Sequence, residues 1–286
     1  MQSGKVALGF RQSGSHRIVD LAECHVITPE LFSLLAPLRR LLRSQSGRWA
    51  VDIELTQGDQ GIDCGLRNFA MDGLEATEAV LEFAQAHSLA RVTVDLGYGS
   101  ETVWEPEPVT VTLGGVAVSL PPGAFLQATL DGEAALVAAA REWLAASEIV
   151  ADLFAGLGTF AFSLAGKVAA YEASRDAHLV CRLAAARSLP SLESHHRDLF
   201  RNPLQPEELS RFDGVLLDPP RAGAREQVAH LARSAVDRVV YISCNPASWA
   251  KDARTLVDGG FRLAELRPVG QFRWSTHVEL ASLFLR

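Results

Sequence analysis

From Leu130 to the carboxyl terminus, short apolar stretches alternate with amphipathic segments of helical length. Leu130 to Ala146 reads as a long helix leading to the strand "EIVADLF". The helix "GTFAFSLAG", strand "VAAYEA", helix "SRDAHLVCRLAAARS" and strand "SLESHH" follow. Then come "FDGVLLD", "REQVAHLARSAV", "RVVYIS" and "PASWAKDARTLVDGG", and two closing strands, "FRLAELRPV" and "HVELASLFLR". Strands this apolar have no polar face to show to water. They imply an α/β fold, a mostly parallel sheet covered by helices on both sides. In such sheets, ligands lie beyond the carboxyl ends of the strands, near the point where strand order reverses.

The preceding region is different. "RWAVDIELTQ" and "GIDCGLR" read as paired strands around the turn "GDQG", and "VTVTLGGVAVSL" as a hairpin across Gly114-Gly115. Two helices interrupt them, "TPELFSLLAPLRRLLR", with Thr28 as N-cap before Pro29, and "MDGLEATEAVLEFAQAHSL". The expectation is a smaller α+β domain over residues 1–120 and a Rossmann-like domain over 121–286.

Composition excludes some classes. No apolar run approaches the ~20 residues of a membrane span, and the opening "MQSGKVALGF" lacks the pattern of a signal peptide. The four cysteines, Cys24, Cys64, Cys181 and Cys244, show no paired spacing, as expected of a cytoplasmic protein. The formal net charge of -7 argues mildly against a dedicated nucleic-acid backbone binder. A local basic patch is available from Arg39, Arg40 and Arg43 together with Arg11, His16 and Arg17. The same arginines would also suit a solvated helix face.

The chemistry-bearing residues fall where strands end. "DLFAGLGTFAF", from Asp152 to Phe162, is a strand end followed by a glycine turn. Gly156 and Gly158 allow tight turning and close approach of a ligand to the backbone. The third glycine of a dinucleotide fingerprint is replaced by Ala161. Glu172, at the end of the next strand, is suited to accept from both ribose hydroxyls, and Asp198, after the third strand, from an adenine amino group. "LLDPPRAGA" ends the fourth strand in a turn stiffened by two prolines, which holds Asp218 in the cleft. Cys244 ends the adjacent strand in "SCNP", where Pro246 is a natural first helical residue. A helix start favours an anion, so a lowered thiol pKa and a nucleophilic thiolate are expected. A buried, inert cysteine is the competing reading. Glu279, in "STHVELASLFLR", is flanked by Val278 and Leu280 and suits a general base, or else is an ordinary edge-strand charge.

In this order and spacing, "DLFAGLGTF", "LLDPPRAGA", "YISCNPASWAKDA" and the terminal "HVE" resemble the RNA uracil-5-methyltransferases, which make 5-methyluridine in rRNA and tRNA. "GAFLQAT" resembles the opening of that family's catalytic domain, and "VALGFRQSGSHRIVDLAECHVITPEL" is similar to its central, RNA-contacting domain. The resemblance implies a class I methyltransferase fold and S-adenosylmethionine as cofactor. By position it implies that Gln127, Phe154, Glu172, Asp198 and Asp218 contact the cofactor, beside Gly156 and Gly158. It also implies Cys244 as nucleophile and Glu279 as base, with Asp218 beside them. The implied partner is structured RNA, with no membrane or DNA partner, and a monomer is expected.

Three departures stand out. Thr159 occupies a position where the family usually carries Asn, and Trp274 stands in an altered approach to the base. Many members also carry an amino-terminal RNA-binding barrel and a C-x5-CGGC cluster that holds an iron–sulfur centre. The sequence opens downstream of both, so a fragment or shortened member is expected. Cys24 resembles the fourth cluster ligand, a lone remnant without its three partners. Two alternatives remain at this point: a nucleotide-dependent oxidoreductase with a reactive thiol, and a weakly active or inactive RNA-binding member of the fold.

Overall fold

The computed structural model describes residues 6–45, 49–272 and 275–286, and it divides into two compact units, 1–111 and 112–286. The expectation about Trp274 lies outside the described residues.

In the first unit, β1 (Gly9–Arg11) and β2 (Ile18–Asp20) form a small antiparallel ribbon. The segment read as one helix breaks into α1 (Pro29–Ser33) and α2 (Leu35–Leu42). Thr28 caps α1 as expected, its Oγ1 accepting from the Leu31 amide. The break precedes Pro37, which has no N–H to offer the Ser33 carbonyl and disfavours helix in the residue before it. β3 (Asp52–Gly58) and β4 (Gly61–Arg67) make the expected hairpin, and α3 (Gly73–Ala86) crosses over to β5 (Arg91–Asp95), parallel to β4. β6 (Ser100–Trp104) completes a four-stranded sheet. Arg91 and Asp63 are register partners on β5 and β4, joined by a buried two-pronged ion pair at 3.0 and 2.6 Å. Its planar fork accepts one register only.

β7 (Thr110–Leu113) and β8 (Val116–Ser119) follow, joined at Gly114-Gly115, both at positive φ. That is the backbone of a tight two-residue hairpin.

The second unit is built on a seven-stranded sheet. In chain order its elements are α4 (Leu130–Leu144), β9 (Ile149–Leu153), β10 (Lys167–Glu172), α5 (Arg175–Ser188), β11 (Leu192–His196), α6 (Pro206–Leu209), β12 (Gly214–Leu217), α7 (Arg225–Arg233), β13 (Arg238–Ser243), α8 (Pro246–Asp258), β14 (Arg262–Val269) and β15 (Glu279–Leu285). The strand order is β11-β10-β9-β12-β13-β15-β14. The five strands from β11 to β13 are parallel, and β15 lies antiparallel between β13 and β14. The chain leaves β9 toward β10 and β11, then returns to the other side of β9 at β12. This reversal opens a crevice over the carboxyl ends of β9, β10 and β12. One face of the sheet packs Leu153, Leu217, Val239 and Tyr241 against Val228, Leu231 and Leu256 from α7 and α8.

One expected element is absent. "GTFAFSLAG" forms a glycine-rich turn and a single 3-10 turn at Ala161–Ser163, with no α-helix. Gly158 has φ +97°, and a Cβ there would lie 2.8 Å from the Phe162 ring. Leu164 is already extended and Gly166 has φ +80°, so the helix cannot propagate. No helix among the described residues is long and apolar enough to cross a membrane.

Candidate active site

The glycine turn sits directly over β9. Phe154 adopts φ +66°, a left-handed conformation that is costly for a side chain of this size. Its ring packs against Phe200 at 5.3 Å between centroids. Gly156 also has positive φ, and a Cβ on it would meet nothing within 4 Å, so its backbone borders open space. Glu172 closes β10. Its carboxylate accepts from the Gly156 amide at 2.8 Å and from the Ser174 amide at 2.6 Å. The acid expected to meet a ribose therefore also fixes the turn beside it. Asp198 behaves similarly, with Oδ1 accepting from the amides of Phe200 and Arg201. That turn presents Phe200 to Phe154.

Beneath the turn lies Asp152, which is fully buried, and neither carboxylate oxygen has a hydrogen-bond partner among the described residues. Burial raises its pKa to about 7. The nearby Ala161 amide opposes the shift and Glu172 adds to it.

Across the reversal point, the Asp218 amide donates to the Leu153 carbonyl at 3.2 Å, continuing β12 against β9. Gln127 Nε2 donates to Asp218 Oδ2 at 3.3 Å. Gln271 Nε2 donates to Gln127 Oε1 at 2.8 Å, while its own Oε1 accepts from the Ala128 amide. A chain of amides thus holds Gln127 against Asp218. Nothing in the sequence signals Gln271, which joins this group only through the fold. Burial pushes the Asp218 carboxyl well above the usual carboxylate range, with further contributions from Glu279 and Asp152.

Cys244 follows β13 and immediately precedes the cap of α8. Asn245 Oδ1 accepts from the Ala247 amide, and Pro246 opens the helix. Ser243 pairs with Leu280 at the end of the β13–β15 ladder, so Cys244 and Glu279 each lie one residue beyond that pair, on the rim side, and Glu279 is near enough to raise the thiol pKa. Both are half-buried. Burial raises the Glu279 pKa, and Arg221 opposes that rise. The thiol departs from expectation. Burial raises the Cys244 pKa first, then the Glu279 and Asp218 carboxylates, and these outweigh Arg221, which lowers it. Burial, with two nearby acids, overcomes the helix start. The other buried thiols are less available still, Cys64 being pushed up to about 12 and Cys181 to about 11, chiefly by burial.

Arg221, the last residue of "DPPR", is a site residue that strand-end reasoning passed over. Its carbonyl accepts from Asn245 Nδ2 at 2.8 Å and from Ser248 Oγ at 3.0 Å. Its guanidinium meets His277 Nδ1 at 3.1 Å. Asp252 secures the same loop from below, its Oδ2 accepting from the Ala224 amide and the Tyr241 hydroxyl.

Cys24 is half-buried, and its Sγ accepts from the Ile27 amide at 3.5 Å. Among the described residues no three His, Cys, Asp or Glu side chains gather as a metal set. These residues do not by themselves fit an iron–sulfur centre, and no chemistry is assigned to one.

Comparison with known proteins accounts for this arrangement. Residues 176–286 match the family model of the tRNA (uracil-5-)-methyltransferases. An uncharacterized RNA methyltransferase of Zymomonas mobilis is 50% identical over 285 residues, which cover 99% of this chain and 72% of that protein. The chain belongs to the RNA uracil-5-methyltransferase family. A 23S rRNA (uracil(1939)-C(5))-methyltransferase of Yersinia enterocolitica is 34% identical, over 99% of this chain and 65% of the relative. The fold matches the Pyrococcus abyssi tRNA (uracil-54, C5)-methyltransferase, solved with S-adenosyl-L-homocysteine, at a TM-score of 0.76. That match has 23% identity and covers 98% of this chain and 73% of the other. Membership in the family makes the chain an S-adenosylmethionine-dependent RNA methyltransferase. It displaces the oxidoreductase reading, which left "DPPRAGA" and Glu279 unexplained. The crevice suits that cofactor: Gly156 borders open space, Phe154 and Phe200 offer ring faces, and acids stand at the ends of β10 and β12.

Proposed function

We propose that the chain methylates C5 of a uridine in structured RNA, rRNA or tRNA, through a covalent bond between Cys244 and the base. Gln127, Phe154, Gly156, Gly158, Glu172, Asp198 and Asp218 would hold S-adenosylmethionine in the crevice. When bound, the cofactor supplies an electrophilic methyl group.

Uracil C5 is a weak nucleophile, and the work of this chain is to strengthen it. The Cys244 thiolate adds to C6, forming an S–C bond and moving the ring electrons into an enolate with density at C5. Arg221, whose guanidinium lowers the pKa of both Cys244 and Glu279, stabilises negative charge at this rim. Once C5 carries the methyl group, it still bears its hydrogen. Glu279 takes that proton, the C5–C6 double bond re-forms and the sulfur leaves as thiolate. A carboxyl with a raised pKa is better matched to this proton transfer near neutrality. The target base must leave its stack to reach the rim, at a cost of a few kcal/mol.

The observation that carries this reading is that Cys244 and Glu279 each stand one residue beyond the Ser243–Leu280 pair, with Glu279 and Asp218 both close enough to perturb the thiol. Incubation with methyl-labelled S-adenosylmethionine and unmodified rRNA or tRNA transcripts tests it, with nucleosides read by mass spectrometry. Label in 5-methyluridine is expected from one of the two. Label in another nucleoside, or in neither RNA from a folded, cofactor-binding protein, contradicts it.

A further inference from the structure

The guanidinium of Arg221 acts on the rim without being paired to an acid. It lowers the pKa of Cys244 and of Glu279, so it stands within electrostatic reach of both. Yet among the described residues it forms no salt bridge with a carboxylate, Glu279 included. Its main chain is well anchored. Pro219 and Pro220 stiffen the turn before it, and its carbonyl accepts from Asn245 Nδ2 and Ser248 Oγ. The side chain beyond is long and exposed. Such a side chain keeps no single place unaided, because ordering it costs rotamer freedom.

His277 supplies the hold. Its Nδ1 lies 3.1 Å from Arg221 Nη2. A guanidinium only donates hydrogen bonds, so Nδ1 accepts, and a ring that accepts there is neutral with its proton on Nε2. A protonated ring would offer donors alone and meet the cation with like charge. The ring is itself set from two sides. Phe272 meets it edge to face at 6.2 Å between centroids, and the His277 amide donates to Ser275 Oγ at 3.1 Å. His277 also stands two residues before Glu279, where the chain enters β15. The choice of partner matters. A carboxylate in its place would hold the guanidinium but cancel the field it casts on the rim, and would push the thiol pKa further up. A neutral nitrogen orients the cation and leaves its charge whole.

We propose that His277 is a positioning residue, whose unprotonated Nδ1 aims the Arg221 guanidinium at the Cys244–Glu279 rim and leaves its charge uncancelled. The assignment rests on the reading above in which Cys244 is the nucleophile, and it gives His277 no contact with the reacting atoms.

The test is the pH at which Cys244 becomes reactive, followed by iodoacetamide alkylation of the 286-residue chain and read by peptide mass, with no RNA present. Arg221→Ala should move the profile upward by about half a pH unit, the effect of one charge acting through water over several ångströms. His277→Ala should move it the same way by a comparable amount. His277→Asn should restore the parent profile, since an amide oxygen can accept from the guanidinium in place of Nδ1. The Arg221→Ala/His277→Ala double variant should match Arg221→Ala, because His277 acts through Arg221. In single-turnover methylation, the His277→Ala rate should fall about threefold at pH 7 and recover as pH rises, which a merely loosened fold would not do. A His277→Ala profile equal to the parent's overturns the proposal. So does a double variant shifted by the sum of the two, an asparagine variant that behaves like the alanine one, or an Arg221→Ala profile that does not move. The two readings fail separately. Shifted profiles in a chain that methylates no uridine remove the uracil reading and keep His277 in its place, whereas methylation by a His277→Ala chain of unshifted thiol removes His277 alone.

Discussion

The side-chain amide of Asn245 donates to the carbonyl of Arg221 at 2.8 Å, joining the turn that carries Cys244 to the double-proline turn that carries Asp218. The two turns end adjacent strands, β13 and β12, and this bond sets Cys244 and Asp218 in one frame. Asn245 also caps α8 through its other atom, Oδ1. The two roles separate cleanly by substitution. Asn245→Asp keeps an acceptor for the cap but has no N–H for Arg221, whereas Asn245→Ala loses both. The alanine variant should lose about 1–2 kcal/mol of stability and the aspartate variant less, while both lower the methylation rate. Thermal melts and single-turnover assays check this. An aspartate variant of unchanged rate would mean that the Arg221 tie has no functional weight.

Asp152 makes folding pH-dependent. Its pKa rises from 3.8 to about 7 on burial, so between those values the folded chain binds more protons than the unfolded one. The site therefore weighs least on stability below the unfolded value, and its cost grows as pH climbs toward the folded value. A shift of about three units corresponds to an upper bound of about 4 kcal/mol. Asp152→Asn removes the charge and should raise the melting temperature at pH 8 much more than at pH 4. An equal effect at both values would contradict a protonated carboxyl at this site.

The thiol is held back by its neighbours, and one of them is removable. Glu279 raises the Cys244 pKa, so Glu279→Gln should move the thiol's titration to lower pH. The rate of iodoacetamide alkylation at Cys244, followed against pH and read by peptide mass, reports the shift. Cys64 and Cys181 should remain slow throughout, being buried. A profile identical in parent and variant would separate the two residues electrostatically.

The same substitution bears on the base. With Glu279→Gln, the C5 proton has no carboxylate to receive it after methylation, so a protein–RNA adduct carrying the new methyl group should accumulate. Denaturing gels with labelled methyl groups detect it. Free methylated RNA formed at the parent's rate would move the base to another residue.

Much of the second unit was legible because each strand is bounded by a signal with one physical meaning. Ser174, Thr129 and Asn245 cap helices as short polar side chains do, and Pro246 opens α8. The segment after Gly158 was misread because its apolar spacing is helical while its glycines are set by contact with Phe162. In the first unit, "RVTVD" and "SETVW" escaped notice as strands, being short and joined to their neighbours by a crossover and a glycine-rich turn. The strand ends led to Asp218, Cys244 and Glu279. They did not lead to Gln271 or to the aim of Arg221, since both depend on partners more than twenty residues away in the chain. The thiol pKa departs from expectation for the same reason: the helix start is local, whereas the burial that raises it most and the carboxylates that add to it come from the packing of other strands.

The most direct measurement is a covalent trap. RNA containing 5-fluorouridine, incubated with the chain and S-adenosylmethionine, presents a C5 fluorine that cannot be removed as a proton. The adduct should therefore persist through denaturing electrophoresis, map to the peptide containing Cys244, and vanish in Cys244→Ala. An adduct of undiminished yield in Cys244→Ala, or none from a parent that methylates ordinary RNA, would contradict the account.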